Sequence, residues 1–296
     1  MMSFRLEMLQ VARLAPKMLG ESSELVIRFL RSQMHVCGGF TDREGKPDLY
    51  YTVFGVEGLQ AFQQEIARER LQTWLLTFRD GEGLDFVHLC CLARCWMNVD
   101  ASLLTDVMRE SIARRIETYR APDGGYHQSP GKAHGSAYGC LLAGSAYQDL
   151  GLLPPNPGDL ALCMMGLMTG DGAWSNERHQ PVGSTTATAA ALAFLRHAQM
   201  SPPPGTVDWL MRQCLPAGGF LAFPRAPLPD LLSTAVSLHA LAASQRDLSP
   251  IKEACLDFID SLWSAEGGFH GHWADDTLDC EYTYYGLLAL GHLSLV

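Results

Sequence analysis

The sequence predicts an all-α fold: a closed α/α barrel of six helical hairpins around a central cavity. Three observations carry this. A unit recurs six times, charged and uncharged helices alternate, and the last unit is as apolar as the middle ones. An open stack of repeats needs polar ends, whereas a ring needs none.

The recurring unit is a Gly-Gly-aromatic turn, a polar loop and a small-residue-rich apolar helix. It reads Gly38-Gly39-Phe40 before Tyr51-Thr52-Val53, and Gly124-Gly125-Tyr126 before Ser136-Ala137-Tyr138. It returns as Gly218-Gly219-Phe220 before Ser233-Thr234-Ala235, and as Gly267-Gly268-Phe269 before Tyr282-Thr283. Looser copies stand at Gly81-Glu82-Gly83 and at Gly170-Asp171-Gly172-Ala173-Trp174. The spacing is about 45 residues, a period proper to repeat architectures. The expected organisation is one domain over residues 1–296, with a lead-in helix over 1–20.

Met1 to Leu19 reads as the amphipathic lead-in helix. Ser22 or Ser23 can cap the next one, whose Leu25, Val26, Phe29 and Leu30 follow helical spacing up to Gly38-Gly39. A helix from about Asp48 to Phe62 follows, with Asp48 placed to cap it. The outer helices are expected at Ile66 to Phe78, Ala101 to Tyr119, Asp159 to Met168, Val207 to Cys214 and Pro250 to Trp263. Each carries charge on one face, as a helix half in water should. The inner helices are expected at Phe86 to Met97, Gly135 to Tyr147, Thr185 to Leu195, Leu231 to Ala242 and Tyr282 to Leu290. They carry almost no charge, and a helix apolar all round is buried. No strand pattern competes strongly.

Composition narrows the function classes. Charged residues are 18% and hydrophobic ones 47%, an apolar balance that suggests lining beyond an ordinary core. The net charge of −10, with no basic run, argues against nucleic acid. The nine cysteines are odd in number, lie mostly in apolar helices and form no CxxC, which suits a reducing compartment. No signal-peptide core and no transmembrane run is read, so the expected location is cytoplasmic.

The order Gly-Gly-Phe, loop, Asp, Tyr/Ser-Thr resembles the repeat of protein prenyltransferase β subunits and squalene/terpenoid cyclases. The most specific stretches are PDLLSTAVSLHAL and LDCEYTYYGLLAL, each after a Gly-Gly-Phe. The likeness spans Gly38 to Leu290 and is nearer to a prenyltransferase β subunit, because there is a single six-hairpin ring. It implies an α6–α6 toroid with an isoprenoid pocket. It also implies an α-subunit-like protein partner and, as ligand, farnesyl or geranylgeranyl diphosphate.

The resemblance implies a zinc site from an Asp, a Cys two positions later, and a His. Asp230 matches the Asp; Leu232 stands at the Cys position and Tyr282 at the His position. Leu cannot bind zinc and Tyr seldom does. A metal could instead draw on Asp230, His272 and Asp279. Asp275-Asp276-Thr277-Leu278-Asp279 spells the DDxxD run that takes magnesium–diphosphate in other folds, so the cofactor is left open between magnesium and none. On the diphosphate side the resemblance brings His127 before Tyr138, and Arg225 near the family's Arg. Lys132 and His134 could complete a cationic rim, with helix N-termini beside it.

Asp48, Asp85, Asp230 and Asp279 each open an inner helix. Capping explains all four, at about 1 kcal/mol each. The alternative is that Asp230 and Asp279, with Tyr282, act as acid/base or cation-stabilising groups. Tyr51, Tyr138 and Tyr284 are placed to line a prenyl chain. Three functions stay open: prenyl transfer to an unknown acceptor, terpenoid cyclisation, and a non-catalytic lipid-binding or scaffold protein.

Overall fold

The computed structural model describes residues 3–296. A lead-in of α1 (Phe4–Ala12) and α2 (Pro16–Leu19) precedes α3 (Ser23–Ser32). A hairpin of β1 (Phe40–Thr41) and β2 (Pro47–Asp48) leads into α4 (Leu49–Ala61), α5 (Arg68–Thr77) and α6 (Phe86–Val99). Then come α7 (Asp106–Glu117), α8 (Ala137–Leu150), α9 (Pro157–Met165), α10 (Thr185–His197) and α11 (Thr206–Met211). A second hairpin, β3 (Phe220–Leu221) and β4 (Pro229–Asp230), opens onto α12 (Leu231–Ala243), α13 (Lys252–Asp260) and α14 (Cys280–Leu293).

The even helices α4 to α14 each pack on the next, and α14 packs back on α4. The inner ring is therefore closed. The odd helices α3 to α13 lie outside it, each against the inner helix that follows. Amphipathicity sets this sorting: α3 buries Val26, Ile27, Phe29 and Leu30 while Arg28 and Arg31 stay exposed.

One local device builds every unit. Asp48, Asp85, Ser136, Ser184, Asp230 and Asp279 each accept the backbone N–H three residues ahead, capping α4, α6, α8, α10, α12 and α14. In four units a Thr four places past the cap residue accepts the amide of the buried turn aromatic. These are Phe40 to Thr52 at 2.8 Å, Trp174 to Thr188 at 3.1 Å, Phe220 to Thr234 at 2.9 Å and Phe269 to Thr283 at 3.4 Å. The Thr in the repeat is thus a clasp that satisfies a buried donor. In three units the first turn glycine, Gly38, Gly218 or Gly267, meets the backbone of the next outer helix. A Cβ at Gly218 would stand 1.8 Å from the Ala254 carbonyl oxygen, and one at Gly267 would stand 2.2 Å from that of Leu25. Both glycines have positive φ, so no other residue fits there without strain. Leu25 belongs to the first outer helix, so the sixth unit closes onto the first.

All inner helices point their N-termini to one end, the mouth. The other end is crossed by α1, which packs on α14 and α4. The Phe4 amide donates to Gln148 at 3.1 Å, Arg5 donates to Asn98 at 2.8 Å, and Glu7 pairs with Arg196 and His197. The Phe4 ring stacks on His197 with centroids 3.8 Å apart.

Four features differ from the sequence expectation. The lead-in is two helices, because Pro16 lacks the N–H that a continuous helix needs. Outer helices are shorter than expected; α11 ends at Met211, and a separate 3-10 turn over Ala101–Leu103 precedes α7. Two short hairpins appear, pairing Phe40 with Asp48 and Phe220 with Asp230. The inner ring is also not uncharged, since Glu57, Arg94, Asp149 and Glu281 belong to it.

Candidate functional site: an axial cavity with a charged mouth and a polar floor

A helix returns to one face every three or four residues. Counted from the cap, the second, fifth, sixth, ninth and thirteenth residues of the inner helices meet the axis. In α4 these are Tyr50, Val53, Phe54 and Glu57; in α8 they run from Tyr138 to Asp149. They enclose a cavity of about 170 Å³, with Phe4 and Met8 of α1 in its lining.

The wall is layered. Near the mouth stand Tyr50, Tyr138 and Thr186. Below them an aromatic cluster forms on the α4/α14 side: the Phe54 centroid lies 5.0 Å from Tyr50, 5.5 Å from Tyr285 and 5.9 Å from Tyr284. The opposite side is small and aliphatic, with Cys90, Cys91, Leu141 and Ala189. The ninth residues make the next layer: Glu57, Arg94, Ser145, Ala193, His239 and Leu288. Arg94 donates from Nε to Glu57 Oε1 at 2.8 Å and from Nη2 to Oε2 at 3.3 Å, and Asn98 donates to the same carboxylate at 3.1 Å. Asp149 lies deeper, with Arg5 Nε 4.0 Å from its Oδ1; burial raises its pKa to about 6.

The mouth is charged. His88 bridges two caps, Nε2 to Asp48 at 2.9 Å and Nδ1 to Asp85 at 2.8 Å. The Asp48 hydrogen bond is the main reason that His88 is raised to about 9, against the opposing effect of burial. Arg43, from the first hairpin, donates to Asp279 at 2.8 Å and to Asp275 at 2.9 Å, with its guanidinium 5.6 Å from the Tyr282 ring centroid. Burial nonetheless raises the Asp279 carboxyl above its usual range. Tyr50 donates to Glu281 at 2.6 Å, and burial pushes Glu281 to about 7.

Of the residues singled out in the sequence, Tyr138 and Tyr284 line the cavity. Tyr51 stands at the mouth, raised to about 12 by burial and by the Asp279 and Glu281 charges. Asp230 caps α12 and accepts from the Ser233 amide and hydroxyl, both at 2.7 Å. Asp279 caps α14, and the Tyr282 ring lies against Gly271. His127 is 7% exposed; its Nδ1 accepts from the Ser129 amide, so its Nε2 donates to Glu177 at 3.0 Å. His134 and Arg178 both meet Asp123, at 3.4 and 3.1 Å. Lys132 and Arg225 are exposed. Among the described residues no hydrogen bond or ion pair joins Arg225 to His127.

Zinc does not fit these residues. Leu232 offers no donor, and Asp230 already accepts from both the amide and the hydroxyl of Ser233. His272 Nδ1 accepts from the Ala274 amide at 3.1 Å. Magnesium on the DDxxD run fares no better, because Asp275 and Asp279 both turn to Arg43. Among the described residues no three His, Cys, Asp or Glu side chains group as a metal needs. The sequence reading missed Arg43, His88, Glu281 and the ninth-residue layer. Aligning the units on their caps places Glu57, Arg94, Ser145 and His239 at one level, which is the signal that could have found them.

A family model described as prenyltransferase alpha-alpha toroid domain matches residues 16–89 and 169–294. Among solved structures, the chain is similar to Candida albicans protein geranylgeranyltransferase-I complexed with GGPP, at 14% identity and a TM-score of 0.69, covering 92% of this chain and 90% of that one. It is similar to the type II terpene cyclase MstE from Scytonema, at 15% identity and a TM-score of 0.62, covering 94% and 98%. It is also similar to a D-mannose isomerase, at 12% identity and a TM-score of 0.63, covering 95% and 98%. At these identities the likeness is one of fold. No curated protein matches the chain.

Proposed function

Because the chain belongs to the prenyltransferase alpha-alpha toroid family, we propose that it binds an isoprenoid diphosphate and transfers the prenyl group to an acceptor other than a zinc thiolate. The observation that carries this is the closed ring around an aromatic-walled axial cavity. Aromatic faces suit a polyene chain and the positive charge that develops when the diphosphate leaves. The geranylgeranyltransferase-I of similar fold is complexed with GGPP, which adds support. On the third- and fourth-unit loops, Lys132 and Arg178 supply positive charge for the diphosphate, Arg178 sharing Asp123 with the His134 ring beside it. Farnesyl and geranylgeranyl diphosphate titrated into the protein in a calorimeter test the reading. Binding in the micromolar range is expected, weakened about tenfold by Lys132→Ala with His134→Ala. No heat and no retention of either diphosphate discards it.

A second reading, acid-initiated cyclisation, is favoured by Glu281. This carboxyl is held near neutrality at about 7 and bonded to a cavity-lining Tyr. A protonated carboxylic acid beside an alkene is what such chemistry starts from. Mass spectrometry of geranylgeranyl diphosphate incubations decides: a cyclic product lost in Glu281→Gln supports it, and unchanged substrate rejects it.

A further inference from the structure

The polar layer halfway down the cavity is not what a plain hydrocarbon pocket needs. Arg94 spends Nε and Nη2 on Glu57, and Nη1 has no protein partner among the described residues. Ser145 Oγ likewise has none among the described residues. His239 bonds through Nδ1 to His292 Nε2 at 3.0 Å, which leaves its Nε2 free. All three residues line the cavity, and they come from three different inner helices. Glu57 balances the Arg94 charge, so the layer offers hydrogen bonds and little net charge. Burial lowers His239 to about 4, so it is neutral. A hydrocarbon end seated here would cover these atoms unpaired, at a loss in affinity.

We propose that Arg94, Ser145 and His239 form a subsite for a neutral oxygen function, a hydroxyl or carbonyl, at the buried end of an otherwise apolar ligand. The subsite rests on the isoprenoid reading of the cavity and deepens it: the chain enters through the aromatic layers and ends on an oxygen. Ala193 at the same level leaves room for that group.

The test is a matched pair, farnesyl diphosphate and its terminally hydroxylated analogue, titrated into the full chain. The hydroxylated probe is expected to bind about tenfold more tightly. Ser145→Ala with His239→Leu is expected to remove that preference, the hydroxylated probe losing its partners and farnesyl diphosphate gaining affinity as the unpaired atoms go. Ser145→Ala alone, with a melting curve to verify the fold, gives a milder step in the same direction. Equal affinity of the two probes overturns the subsite and leaves the isoprenoid reading standing. Binding of neither diphosphate sinks the isoprenoid-diphosphate reading instead. Farnesol and its terminal diol then read the subsite directly, and equal affinity, or no binding of either, overturns it.

Discussion

Arg43 Nε donates to Asp279 Oδ2 at 2.8 Å, tying the first hairpin to the cap of the last inner helix. Asp279 is 2% exposed, so removal of its partner strands a buried carboxylate. Arg43 is itself partly in water, which tempers the cost. Arg43→Ala is expected to lose about 2 kcal/mol in urea unfolding. Arg43→Lys should recover less than half, since an ammonium cannot fork to Asp275 and Asp279 together. A change below about 0.5 kcal/mol would show that the seam is held elsewhere.

The His88 bridge predicts a pH dependence. Its folded pKa is raised to about 9, above the ordinary value of about 6.5. The stability it contributes is therefore complete below about 6.5 and fades as pH climbs through 9. The gap between wild type and His88→Leu is expected to shrink by about 1–2 kcal/mol from pH 6.5 to 9.5, allowing for solvent at this half-buried site. A gap that stays constant over that window rejects the bridge as drawn.

Glu57 is 1% exposed and its charge is met by Arg94. Arg94→Met is expected to cost about 3–5 kcal/mol, because the carboxylate is left alone inside the barrel. Glu57→Leu with Arg94→Met should restore most of it. A double-mutant cycle in chemical denaturation measures the coupling, and additive losses would argue against a paired site.

The fold was legible because its signals are local and repeated. The turn glycines and the Asp or Ser cap recur in every unit and the Thr clasp in four, so the repeat exposes them. The mouth was less legible. Arg43 meets Asp275 and Asp279 from the far end of the chain, and nothing local announces that pairing. Glu57 and Arg94 read as stray charges in apolar helices until the ring sets them side by side. The resemblance put His127 on the diphosphate rim, yet the neighbouring Glu177 accepts its hydrogen bond, a pairing that no motif encodes.

The turn glycines give a contrast between strain and clash. Gly45 and Gly267 both have positive φ, but a side chain at Gly45 meets open space and one at Gly267 meets the α3 backbone. Gly45→Ala should cost about 1 kcal/mol. Gly267→Ala should cost about 3 kcal/mol or more, with a lower melting temperature and early proteolysis near Leu25. Equal effects would remove Gly267 from the closure.

The crossing of the far end by α1 has a consequence for biosynthesis. Phe4, Arg5 and Glu7 are synthesised before their docking partners on α6, α8 and α10, and α1 also packs on α14, which follows all of these in sequence. Helix α1 must therefore wait for the inner ring to be made before it can dock. Until then a nascent chain carries an unsealed apolar trough, the kind of surface that chaperones shield.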